Sequence, residues 1–220
     1  MTTTERLLHC TRDIWEGYHT HPFVRGIADG SLEEDKFRFY MIQDYIYLID
    51  YAKVFALGVA KARDVETMRL FASYVHQILD GEMEIHKGYM KRLGISLEEA
   101  ESTPAALDNA SYTAYMLKVA YEEGPAEIAA AILSCAVSYE HIARRIAADH
   151  PDAVKHPFYG EWVEGYANDE YSTANRVLMD LTERLTADYT EEQLRRLEEI
   201  FTVCSRYEVA FWDMAWEKKH

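Results

Sequence analysis

Cys135, Glu208 and Asp44 are reactive or ionisable residues at positions that helical periodicity reserves for the core. Cys135 lies in "AILSCAVSYEHIARR", residues Ala131 to Arg145. Its neighbours on one helix face are Ile128, Ile132, Tyr139, Ile142 and Ile146, spaced alternately three and four apart. Glu208 sits between Cys204 and Phe211 on the stripe Leu194, Leu197, Phe201, Cys204, Glu208, Phe211, Ala215. Asp44 is flanked by rings on the stripe Phe37, Tyr40, Asp44, Tyr47, Tyr51, Val54. Taken singly, each has an ordinary explanation. An unpaired cysteine is usually a small buried hydrophobe. Glu208 could pair with Arg144, and Asp44 with a structural partner. Three independent breaches of core patterning point instead to one shared polar pocket.

The chemistry these types allow is covalent. A thiolate is a strong nucleophile, and it splits one hard displacement into easier steps. It needs a base to take its proton and an acid for the leaving group. A carboxylate whose pKa is raised by burial can serve as both. Glu208 fits that role, and Asp44 can accept a hydrogen bond from a ligand amine. The chain also carries 16 tyrosines. Tyr47, Tyr112, Tyr139 and Tyr166 fall on expected inner faces. A pocket of rings with a few carboxylates suits a flat, nitrogen-rich ligand.

Weaker constellations do not build a second site. Glu82 and His86 stand four apart, and Glu140 and His141 are adjacent. A di-iron bundle uses repeated Glu-x-x-His pairs, which are missing, so no metal ligands are expected. His19 and His21 are expected in a loop.

The 220 residues can bury a sizeable core, and half are apolar, which argues against disorder. The net charge of −15 opposes binding to nucleic acid or to an anionic membrane. The N-terminal "MTTTERLLHCTRDIW" does not read as a signal peptide. No uninterrupted apolar run reaches bilayer-spanning length. Cys10, Cys135 and Cys204 are odd in number and far apart, which suggests reduced thiols in a cytoplasmic protein.

The elements that must position these residues are helices. The spacing predicts a helix over Thr3–Tyr18, a loop at "HTHPF", and a long helix opened by a Ser31/Glu34 capping box and ending near Arg63. Further helices are expected over Val65–Leu93, after a Ser96/Glu99 capping box, over Ser111–Glu123, and through Cys135 after Gly124-Pro125. After the loop "DHPDAVKHPF", helices are expected over Tyr159–Tyr166, from near Ser172, and after a Thr190/Gln193 capping box. Short connections without a flexible linker indicate one all-α domain, a helical bundle covering 1–220. His21-Pro22-Phe23 and His156-Pro157-Phe158 precede aligned residues at equal offsets. A duplication, similar loop chemistry or chance would account for that echo.

With "QDYIYL" around Asp44, "SCAVSYEH" around Cys135, "HPFYGEWVEGYANDEY" around Tyr166 and "YEVAFWDMAW" around Glu208, the chain resembles the TenA family over nearly its whole length. These are the thiaminase II or aminopyrimidine aminohydrolase enzymes. The resemblance implies a haem-oxygenase-like fold, a homotetramer and a cytoplasmic role in thiamin salvage. It implies that Cys135 is the nucleophile and Glu208 the acid/base. Asp44 would hold the aminopyrimidine edge, and Tyr47, Tyr112, Tyr139 and Tyr166 would line the site. Phe is an alternative at Tyr47, so that hydroxyl is not required. The cysteine sets the chain apart from a family branch that uses glutamates. The implied substrate is 4-amino-5-aminomethyl-2-methylpyrimidine or thiamin, and no cofactor is implied. Two other classes stay open: a di-iron or cofactorless oxidase on the same scaffold, and a non-catalytic pyrimidine-binding module.

Overall fold

The computed structural model describes all residues, 1–220. It contains helices and no strand. The chain divides into two compact units, Met1–Glu33 with Ala129–Asp213, and Glu34–Ile128 with Met214–His220. The first holds Cys135, Tyr139, Tyr166 and Glu208, and the second holds Asp44, Tyr47 and Tyr112.

In the unit that begins at Glu34, α4 (Glu34–Lys61) is the central element. It is apolar nearly all round, so it is covered on several sides. It packs against α5 (Val65–Gln77), α6 (Met83–Arg92), α7 (Leu97–Ser102) and α8 (Leu107–Glu122). Gly58 is what lets α5 approach: a Cβ there would stand 2.5 Å from the Phe71 ring. The predicted helix over Val65–Leu93 runs as expected but contains a π-helical turn at Ile78–Glu82. It stops before Gly94, which takes φ +66 in the left-handed region. The Ser96 side chain caps α7 by accepting from the Glu99 N–H. Ser31, however, does not cap α4. Its hydroxyl and N–H both donate to Asp29, and α4 begins at Glu34.

The other unit contains α1 (Thr3–Cys10), α2 (Arg12–Thr20), α3 (Pro22–Asp29), α10 (Gly160–Ala167) and α11 (Asp169–Leu185). It also takes most of α9 (Pro125–Asp149) and of α12 (Glu191–Glu217). The single helix predicted over Thr3–Tyr18 is broken at Thr11, whose hydroxyl donates back to the Leu7 carbonyl. His19 is helical rather than in a loop. The "HTHPF" segment is likewise not a loop. His21 caps α3 by accepting from the Phe23 N–H, and Pro22 occupies the first turn. His156 accepts in the same way from the N–H groups of Phe158 and Tyr159. The sequence echo therefore corresponds to a shared histidine-to-backbone hydrogen bond, which caps a helix at His21 but not at His156. The Thr190/Gln193 capping box forms in both directions.

By length and composition α9 could cross a membrane, although no unbroken apolar run in it does so. In its most apolar window, 78% of residues are buried inside the protein, as in a core helix.

Candidate active site

All seven predicted site residues are buried, with exposures from 1% for Tyr112 to 9% for Cys135 and Tyr166. The periodicity argument therefore holds at each position: these polar groups do occupy inward faces.

In the first unit, α9 presents Cys135 and, one turn on, Tyr139. The Tyr139 ring lies 4.8 Å from that of Tyr166 on α10 and 5.3 Å from that of Trp212 on α12. Trp162 joins the cluster, 5.1 Å from Tyr166. These tilted arrangements are the favourable ones for aromatic pairs. Ser205 ties the supporting helices together. Its hydroxyl meets Ser134 at 3.0 Å and accepts from the Trp15 indole N–H at 3.1 Å. Its carbonyl accepts from the Tyr18 hydroxyl at 2.8 Å. Ser134 precedes the cysteine and Ser205 stands three residues before Glu208, so this knot sets the register of α9 against α12.

Glu208 and Cys135 both act electrostatically on Tyr18. The Tyr18 hydroxyl is pushed well above its ordinary pKa, first by burial, then by the charge of Glu208, with Cys135 and Cys204 adding to it and the Ser205 hydrogen bond opposing it. Cys204 is raised well above the usual thiol value by burial and by Glu208. A thiol held neutral is a poor nucleophile. Cys204 is thus the wrong cysteine for covalent chemistry. Cys10, which is exposed, bonds to the Leu7 carbonyl. Arg144 does not pair with Glu208. It bonds Glu140, Ser172 and Asp169 instead.

In the second unit, Asp44 and Tyr47 are neighbours on α4. The Tyr47 ring lies 5.3 Å from that of Tyr112 on α8 and stacks at 5.2 Å on Tyr51. Gln43 fixes this segment. Its side chain accepts from the Ala106 N–H and donates to the Pro104 carbonyl, while Asn109 donates to its backbone carbonyl. Asp44 Oδ2 meets His86 Nε2 at 2.6 Å, with both side chains buried. The other ring nitrogen, Nδ1, lies 2.9 Å from the Glu82 carbonyl. Both nitrogens of His86 are therefore engaged within the protein. No group of three His, Cys, Asp or Glu residues comes together in metal-binding fashion.

Sequence reasoning missed Tyr18, Ser205, Trp212 and His86. Tyr18 and Trp212 looked like ordinary core aromatics. His86 was visible only as the weak Glu82/His86 pair, because its real partner is 42 residues away. A surface cleft of about 420 Å³ beside Lys87, Met90, Lys91 and Gly94–Leu97 contains none of the predicted site residues.

A model of the TENA/THI-4/PQQC family matches residues 9–218. The chain is 43% identical to the aminopyrimidine aminohydrolase of Helicobacter pylori over 217 residues, covering 99% of this chain and 100% of that protein. It superposes on the solved TenA homologue protein of P. horikoshii OT3 with a TM-score of 0.89 at 30% identity, covering 99% of each chain. A domain of unknown function with a haem oxygenase-like fold from Shewanella denitrificans gives a TM-score of 0.75 at 14% identity, covering 98% of this chain and 92% of that one. The fold is all-α and haem oxygenase-like.

Proposed function

The chain belongs to the TENA/THI-4/PQQC family, and from that premise we propose that it is an aminopyrimidine aminohydrolase of thiamin salvage. The reaction converts 4-amino-5-aminomethyl-2-methylpyrimidine and water to the hydroxymethyl pyrimidine and ammonia. Thiamin, with its thiazole as leaving group, is a second substrate of the same chemistry.

Cys135 is assigned as nucleophile. Its thiolate adds to the ring and breaks aromaticity, and ring electrons then expel the group on the 5-methylene carbon. Water adds to the exocyclic methylene, the thiolate leaves, and the ring is restored. Glu208 takes the thiol proton and passes it to the departing amine, then removes a proton from the attacking water. Asp44 accepts from the ring's 4-amino group. Tyr47, Tyr112, Tyr139 and Tyr166 supply ring faces for the pyrimidine. No cofactor takes part in these steps. The observation that carries this reading is the 43% identity over 217 residues to an aminopyrimidine aminohydrolase, with Cys135 and Glu208 both buried within one unit.

The reading extends to a single catalytic domain over 1–220, a cytoplasmic location and a homotetramer. Light scattering at micromolar concentration should give four times the 25.5 kDa chain mass. A monomer mass would count against the tetramer. The activity is tested by incubating the purified protein with the aminomethyl pyrimidine and with thiamin, and comparing kcat/KM for ammonia and thiazole release. Turnover of either supports the proposal. Tight pyrimidine binding without turnover would favour a binding module, and an oxygen requirement would favour an oxidase.

A further inference from the structure

The pair formed by Asp44 and His86 has a protonation state that geometry constrains. A carbonyl oxygen only accepts, so His86 Nδ1 must donate to the Glu82 carbonyl at 2.9 Å. Nε2 then faces the Asp44 carboxyl at 2.6 Å. Either the histidine is doubly protonated beside a carboxylate, or the histidine is neutral beside a protonated acid. Burial lowers the histidine pKa, but the Asp44 hydrogen bond and charge, helped by Glu82, more than offset it and leave the value raised. The first state is therefore favoured, a charge-assisted hydrogen bond. The acidic groups that act most on the ring are Asp44 from α4 and Glu82 one turn back.

The setting is unusual for a structural ion pair. Glu82 closes the π-helical turn Ile78–Glu82, and such turns cluster at functional sites. The turn offsets the helix before His86. The pair also occupies only Oδ2 of Asp44, and no hydrogen bond engages Oδ1. A carboxylate has acceptor capacity for more than one donor.

We propose that His86, held between the Glu82 carbonyl and Asp44, is a positioning residue that keeps the Asp44 carboxylate oriented with one oxygen available to the 4-amino group of a pyrimidine. The inference deepens the aminohydrolase reading and rests on it. Its chemical consequence is specificity. An ionised, acceptor-only Asp44 favours a ring amine and disfavours a ring carbonyl at the same position, because the carbonyl would face a second acceptor. Without the His86 hydrogen bond the carboxyl is free to turn, and its second oxygen is no longer held toward the ring amine. Discrimination between the two rings would then shrink.

The experiment is calorimetric titration with 4-amino-5-hydroxymethyl-2-methylpyrimidine and with its 4-oxo counterpart. It uses the full chain as wild type, His86→Gln, Asp44→Asn and the double variant. The wild type should prefer the amino ring by roughly 100-fold or more, in line with a mispaired buried polar group. His86→Gln keeps a donor and should reduce that preference about tenfold. The double variant should resemble Asp44→Asn alone, because His86 acts through Asp44. A wild type that does not prefer the amino ring would overturn the function reading and this inference with it. A His86→Gln protein that keeps the wild-type preference, whatever its Tm, overturns the inference alone. Additive losses in the double variant do the same. Nitrogen NMR of the wild-type His86 ring does not depend on any variant folding. Protons on both ring nitrogens at pH 7 are expected, and a neutral ring would overturn the proposal.

Discussion

Each unit buries one of the two candidate acids, Glu208 in one and Asp44 in the other, and their surroundings differ. Asp44 is matched to His86 at hydrogen-bond distance. Glu208 raises the pKa of two buried neighbours, Tyr18 and Cys204, and Arg144 pairs with Glu140 rather than with it. A paired acid has its charge fixed and suits recognition. A buried acid beside hydroxyls and thiols suits carrying a proton, the role proposed for Glu208.

The largest expected effect lies with the thiol. Cys135→Ser should lower kcat by about 10⁴-fold or more while product affinity measured by calorimetry is retained. Wild-type-like turnover would return Cys135 to the packing residues. Next is Glu208→Gln, with a kcat loss of roughly 10²–10⁴-fold. Its thermal midpoint should stay level or rise, because an ionisable group leaves while its volume remains. A protein that melts much earlier, with normal turnover of the folded fraction, would make Glu208 structural and erase the contrast.

Asp44→Asn should cost about 2–4 kcal/mol in kcat/KM, through a lost charged hydrogen bond and a mispaired amide. Unlike Glu208→Gln it should also lower stability, because it leaves the His86 imidazolium without its counterion. Equal thermal midpoints for the two variants would show that the acids do not differ as argued. Ser205→Ala removes the hydroxyl that accepts from Trp15 and meets Ser134. About 1–3 kcal/mol of stability should be lost in denaturant titration, the cost of stranding a buried donor.

The smallest effect is a pair of opposite pH slopes. His86 has a raised pKa, so the folded state binds more protons than the unfolded chain above its ordinary value of 6.5. Its contribution is fully present below 6.5 and is lost as pH rises through the folded-state value. His19 and His141, whose Nε2 atoms lie 2.9 Å apart in the other unit, are both lowered, chiefly by burial. Their contribution is present above 6.5 and is lost as pH falls below it. Thermal midpoints across pH should therefore lose their alkaline limb in Asp44→Asn and their acidic limb in His141→Gln. The same limb vanishing in both would contradict the assigned signs.

The inward faces of α4, α9 and α12 were legible because burial of a helix face imposes a three-and-four spacing, and Asp44, Cys135 and Glu208 break that spacing visibly. Capping was legible only where the motif had no competitor. Thr190/Gln193 forms, whereas Ser31 is captured by Asp29. The Thr11 break and the Ile78–Glu82 turn left no periodic signal, since each shifts the register by little.

By itself the sequence determined the helical class, the three buried chemical residues and the family motifs around them. These are properties of local spacing, which a helix of fixed pitch converts directly into a face. Tertiary structure decided the partners. It gave His86 to Asp44 across 42 residues, Ser205 to Trp15 across 190, and Arg144 to Glu140 rather than Glu208. Hydrogen bonds and charges act through space over a few ångströms, and only packing determines which distant residues come that near.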